Sequence, residues 1–124
     1  MNFSSKRFAL YAMGIVYIYL GILHFTNTDF YFPYMPNFIP LHKEMILISG
    51  LFEILLGFSL FFVKIRKYAL WGLILMLIVF MTVHLNMLLP QNNLGNSMYA
   101  LFLRILIQFV LIYCCWFYIK NPKL

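Results

Sequence analysis

The chain has 124 residues, 65% hydrophobic and 20% aromatic, with only 10% charged and a net charge of +6. That composition excludes a water-soluble globular domain and a disordered chain alike. The length suits one domain, residues 1–124, and four spanning helices would use nearly all of it. The basic balance does not point to nucleic acid. Seven of the nine basic residues (Lys6, Arg7, Lys64, Arg66, Lys67, Lys120 and Lys123) fall at one face of a four-span arrangement. Only Lys43 stands at the other face, and Arg104 lies inside a span. The positive-inside rule then predicts cytoplasmic termini and a basic face able to meet anionic lipid.

The first span is predicted over residues 8–25. Lys6-Arg7 precedes it as in a signal peptide, but no small-residue cleavage site follows, so it reads as uncleaved. Asn2-Phe3-Ser4 matches a glycosylation sequon on the cytoplasmic side and is a chance match. Gly14, Tyr17, Gly21 and His24 share one helical face. Residues 27–43 make a long outer connection, too aromatic for a free loop. Pro33, Pro36 and Pro40 argue against a continuous helix there. This segment reads as interfacial or partly re-entrant across the outer mouth, as a lid or as an aromatic belt.

The second span is predicted over residues 45–63. It carries Glu53 between Gly50 and Gly57, within about 60° of arc on one helix face. Counted from Glu44, Glu53 lies roughly 13 Å deep, near the middle of a hydrocarbon core about 30 Å thick. A carboxylate there costs on the order of 2.5–3.5 kcal/mol and should face protein rather than lipid. The glycine spacing of this stretch repeats that of Gly14 and Gly21, as a shared ancestry or a shared close-packing solution would produce. Lys64-Ile65-Arg66-Lys67 reads as a tight basic turn, which makes the third span, residues 68–89, an antiparallel neighbour. Tyr68 and Trp71 open that span as interfacial anchors, and His84 and Asn86 stand near its outer end. A polar loop, 91–97, leads to the fourth span, residues 98–119. There Arg104 and Gln108 sit one turn apart, with Cys115 on their face. Cys114 and Cys115 form neither a redox nor a zinc pattern and read as small apolar residues.

His24, Glu53, His84, Asn86, Arg104 and Gln108 therefore all fall in the outer half of the membrane. Lipid cannot satisfy such groups, so their faces should converge. Two readings stay open. One is a buried network, with Glu53 paired to Arg104, that holds the helices together. The other is a pocket open to the outer side for a molecule polar at one end and apolar at the other, with Glu53 exchanging a proton. A solute or proton path is a third.

The run Gly21-x-x-His24-Phe25, Asp29-Phe30 and Met35-Pro36-x-x-Ile39-Pro40 resembles the DoxX-like membrane proteins of bacteria. So do Ser49-Gly50-x-x-Glu53-Ile54-x-x-Gly57, Arg66-x-x-Ala69-x-Trp71-Gly72, Asn86-Met87 and Leu103-Arg104-x-x-x-Gln108. The resemblance covers residues 8–116. It implies an all-α, antiparallel four-helix bundle in the cytoplasmic (inner) membrane with both termini inside. It also implies association with redox or respiratory proteins, since some relatives are named as subunits of thiosulfate:quinone oxidoreductases. Related redox branches carry a C-x-x-C that this chain lacks. No metal or nucleotide motif is present, so no cofactor is evident in the sequence; with the resemblance, a quinone-like or lipid ligand in the outer-half pocket is the expectation. The sequence leaves open whether the chain is an enzyme with Glu53 and a histidine as acid and base, and whether it forms homo-oligomers.

Overall fold

The computed structural model describes residues 3–89, 95 and 97–121. Asn2, most of the 91–97 loop and Lys123 lie outside them. The described chain is all-helical: α1 is Phe3–Thr26, α2 Thr28–Tyr31, α3 His42–Ser59, α4 Val63–Asn86 and α5 Met98–Lys120. A short 3₁₀ turn, Phe32–Tyr34, follows α2. Three helices, α1, α4 and α5, are long and apolar enough to cross a membrane. Helix α3 is shorter, with 18 residues, and carries Lys43, Glu44 and Glu53.

Helix α1 lies along α3, α4 lies along α5, and α3 meets α4 less extensively. The first of these contacts is made by glycine. A Cβ on Gly14 would stand 2.8 Å from the Gly57 carbonyl oxygen, and one on Gly21 would stand 2.6 Å from that of Gly50. The two repeated glycine spacings thus face each other, Gly14 against Gly57 and Gly21 against Gly50, on helices running in opposite directions. Close packing accounts for the repeat without any appeal to ancestry. Helical backbones approach this closely only where no side chain intervenes.

The apolar core fills the end of the molecule that holds the chain's first residues. Leu10, Tyr17, Leu60, Leu70, Leu73 and Cys115 are buried there together. The Tyr118 hydroxyl donates to the Lys6 carbonyl at 2.7 Å, tying the last helix to the first. Trp71 meets Trp116 edge-on at 5.8 Å, while Tyr68 is largely exposed. The outward faces of all four long helices are apolar, with Ile15, Leu51, Leu75 and Leu106 among the exposed residues. A soluble monomer rarely exposes so continuous an apolar surface, and lipid is the solvent that suits it.

The basic run does not form the turn that its charges suggest. Leu60, Phe61 and Phe62 form it, through three successive hydrogen bonds back to Gly57, Phe58 and Ser59. Lys64, Arg66 and Lys67 then lie in the first turns of α4. Arg66 is buried, only 5% exposed. Its Nε donates to the Leu60 carbonyl at 2.8 Å, and its guanidinium lies over the Tyr11 ring. Charge alone suggested solvent. The guanidinium instead lies over Tyr11 of α1 and its Nε closes the Leu60 carbonyl of the turn, while Nη1 and Nη2 have no partner among the described residues. Helix α5 starts where Ser97 accepts from the Ala100 amide at 3.2 Å, as an N-cap does.

Candidate functional site

The half of the molecule opposite the core holds a pocket of about 340 Å³. Four of the six residues singled out in the sequence line it: His24 from α1, Glu53 from α3, His84 from α4 and Arg104 from α5. Asn86 and Gln108 do not line this wall. Asn86 is the last residue of α4. Gln108 points its Oε1 into protein, where no described residue donates to it. The pocket is where α1, α3, α4 and α5 bring these four polar side chains together.

The glycine contacts set the geometry of its deepest part. Gly50 stands directly against His24, so His24 of α1 comes beside Glu53, one turn further along α3. Glu53 Oε2 lies 3.1 Å from His24 Nδ1. That nitrogen donates its proton to the Leu20 carbonyl at 2.8 Å, because a carbonyl can only accept. The imidazole is thereby held with Nδ1 protonated, and Glu53 Oε2 gains proximity but no hydrogen bond. Glu53 is 4% exposed and its Oε2 has no donor among the described residues. His84 Nδ1 is likewise buried without a partner. Buried polar atoms are normally satisfied, and this pocket brings two that are not, from α3 and α4, together.

Arg104 is not the direct partner of Glu53 that charge balance suggested. Its guanidinium lies over the Tyr34 ring, 5.7 Å from the centroid, and among the described residues no carboxylate lies within 4 Å of it. An aromatic face is one of the partners a planar guanidinium accepts, through cation–π contact and stacking. Glu53 and Arg104 instead stand on separate walls of the same pocket.

The aromatic segment that follows α1 forms one side of the pocket. Tyr31 stacks on His24 at 4.1 Å and 15°, and Phe30 packs against both Tyr31 and Tyr34. His42 Nε2 donates to the Pro36 carbonyl at 3.2 Å, pinning the segment to the start of α3. Leu41 turns the chain there with φ 53°, a left-handed value that costs a leucine on the order of 1–3 kcal/mol. Burial first, then the Glu53 charge, raises the Tyr31 phenol above its usual range, which keeps it a proton donor. This placement beside the pocket is what the lid reading of residues 27–43 requires, and an aromatic belt would allow it too. Tyr31, Tyr34 and Met35 line the pocket although they were read only as part of that segment. The signal available was aromatic density beside three prolines. Ser49 also lines it, one helical turn before Glu53 on the same face, a spacing that the motif alone does not interpret.

Among the described residues, no group of three or more His, Cys, Asp or Glu side chains is placed to hold a metal ion. Residues 13–119 match the family described as Domain of unknown function (DUF8561), and the chain belongs to that family. No curated protein and no solved structure matches the chain.

Proposed function

We propose that this member of the DUF8561 family is a four-span inner-membrane protein, both termini cytoplasmic, that binds an amphipathic molecule of quinone-like or lipid type. Its polar head would occupy the Glu53 pocket. One observation carries the reading: a pocket with an apolar wall, four polar side chains from four different helices, and buried Glu53 and His84 atoms that no described residue satisfies. Tyr17, Arg66 and Gln108 also bury polar atoms that no described residue satisfies, so what favours a ligand here is that the Glu53 and His84 atoms lie on one pocket beside Arg104. The head chemistry follows from the wall. Arg104 and Tyr31 donate to oxygen, Glu53 exchanges a proton, and Tyr34 offers an aromatic face. The resemblance to DoxX-like proteins, with the ligand class, supports a place beside a membrane redox system, as an accessory or subunit rather than a self-sufficient catalyst. Organic extraction of the purified protein should return one amphiphile far above its share of the bulk membrane lipid. A profile matching bulk lipid contradicts the reading, and turnover without a partner protein would favour an enzyme.

The orientation has its own test. Lys6, Arg7, Lys64, Lys67 and Lys120 supply the positive-inside bias at the core end, whereas Asn37 lies in the aromatic segment. In a background with Cys114 and Cys115 replaced by alanine, Lys64→Cys should react with a membrane-impermeant thiol reagent only from the cytoplasm. Asn37→Cys should react only from outside. Reaction of both from one side removes the topology.

A further inference from the structure

We propose that the groove between α3 and α4 holds the single apolar chain of the molecule whose head occupies the Glu53 pocket, and that this molecule enters sideways from the bilayer. The inference rests on the pocket reading and adds the shape of the ligand and its route. The groove measures about 430 Å³ and is lined by Ile48, Phe52 and Leu56 on one side and Leu75, Val79 and Thr82 on the other. It shares Met35, Ser49, Phe80 and Val83 with the polar pocket. The two volumes are therefore adjacent, with the polar pocket at one end of the apolar groove.

Its dimensions suit one chain. The α3 wall runs from Met45 to Leu56 and the α4 wall from Gly72 to Val83. At about 1.5 Å per residue, each wall gives a length of about 16 Å. The opening lies between α3 and α4, which meet less extensively than α1 with α3 or α4 with α5. Phe52, Leu75 and Val79 expose about half or more of their surface along it. At the far end, Gly72 leaves room for Leu56, whose Cδ2 would stand 2.8 Å from a Cβ placed there. A chain moving from lipid into this groove gains little hydrophobic free energy, because lipid tails are equally apolar. Affinity therefore comes from the head, and the groove decides which tail shape is accepted.

The test uses the full chain in proteoliposomes and a benzoquinone head on a decyl chain ending in a diazirine. The same chain on a glycerol monoester is run beside it, so that a wrong head does not conceal a right groove. On illumination, one of the probes should label α3 and α4 around Phe52, Leu56, Leu75 and Val79, and excess unlabelled probe should compete that label away. Leu75→Trp with Val79→Trp should abolish most of the label, with Val79→Trp alone used where the pair lowers the unfolding midpoint. Ile107→Trp, exposed on α5, should leave it unchanged. Label spread evenly over α1 and α5, label that does not compete, or label that survives the groove variants overturns the proposal. Glu53→Gln separates the two readings. Groove label that persists in Glu53→Gln but falls in the tryptophan variants overturns the head-anchored molecule proposed here and leaves a groove that takes a chain without the Glu53 head site. Label lost in Glu53→Gln and kept in the tryptophan variants overturns the groove and keeps the head site.

Discussion

Gly21→Ala should destabilise the protein by about 1–3 kcal/mol or more, whereas Gly72→Ala should be close to neutral. Both substitutions gain about 0.8–1.0 kcal/mol of helix propensity, so propensity cannot distinguish them. What differs is the neighbour. A Cβ at Gly21 would meet the Gly50 carbonyl oxygen at 2.6 Å and Ile54 Cγ1 at 2.7 Å. Backbone does not yield there, so α1 and α3 must separate along their whole contact. A Cβ at Gly72 would meet Leu56 Cδ2 at 2.8 Å, the far end of a flexible side chain that can rotate into the groove. The same separation would pull His24 away from Glu53, so Gly21→Ala should also weaken any ligand of the pocket. Thermal unfolding in detergent reads both variants. Equal losses at the two positions would mean that the α1–α3 contact is not the tight one.

Glu53→Gln and Arg104→Met should be non-additive, the double variant losing less than the sum of the single losses by about 0.5–3 kcal/mol. The two side chains do not touch. They face one largely apolar pocket, where opposite charges interact more strongly than across water. A directly paired buried ion pair would give single losses of about 3–5 kcal/mol. The arrangement seen here, with Glu53 beside His24 and Arg104 over Tyr34, should give smaller ones. The cycle is scored by unfolding in detergent without added ligand. Additivity within about 0.3–0.5 kcal/mol would assign the two residues to separate sites.

The helices and the shared face of Gly50, Glu53 and Gly57 were legible because apolar length and the 3.6-residue period depend on local sequence alone. So was the meeting of His24, Glu53, His84 and Arg104, since polar groups at one depth in lipid have few other places to go. The partner of each was not legible. Charge balance joins Glu53 to Arg104, but the glycine contacts that bring α1 against α3 choose His24 for Glu53. The aromatic segment then gives Arg104 a tyrosine face. Arg66 misled for a related reason. A basic run reads as solvated, and only the packing of α1 shows that one of its members folds inward to the Leu60 carbonyl. The share of the outer segment in the pocket depends on a left-handed leucine and a histidine-to-carbonyl hydrogen bond, neither of which has a sequence period.

The central claim, that the Glu53 pocket holds a ligand rather than merely bracing the helices, is tested most directly by native mass spectrometry of protein released from its own membranes. The wild type should carry one amphipathic molecule per chain. Glu53→Gln and Arg104→Met should each lose that molecule while their unfolding midpoints stay well above the working temperature. Trp71→Phe, at the opposite end of α4 from His84, should retain it. A wild type that is folded and carries no such molecule, or variants that retain it at the wild-type ratio, would contradict the account.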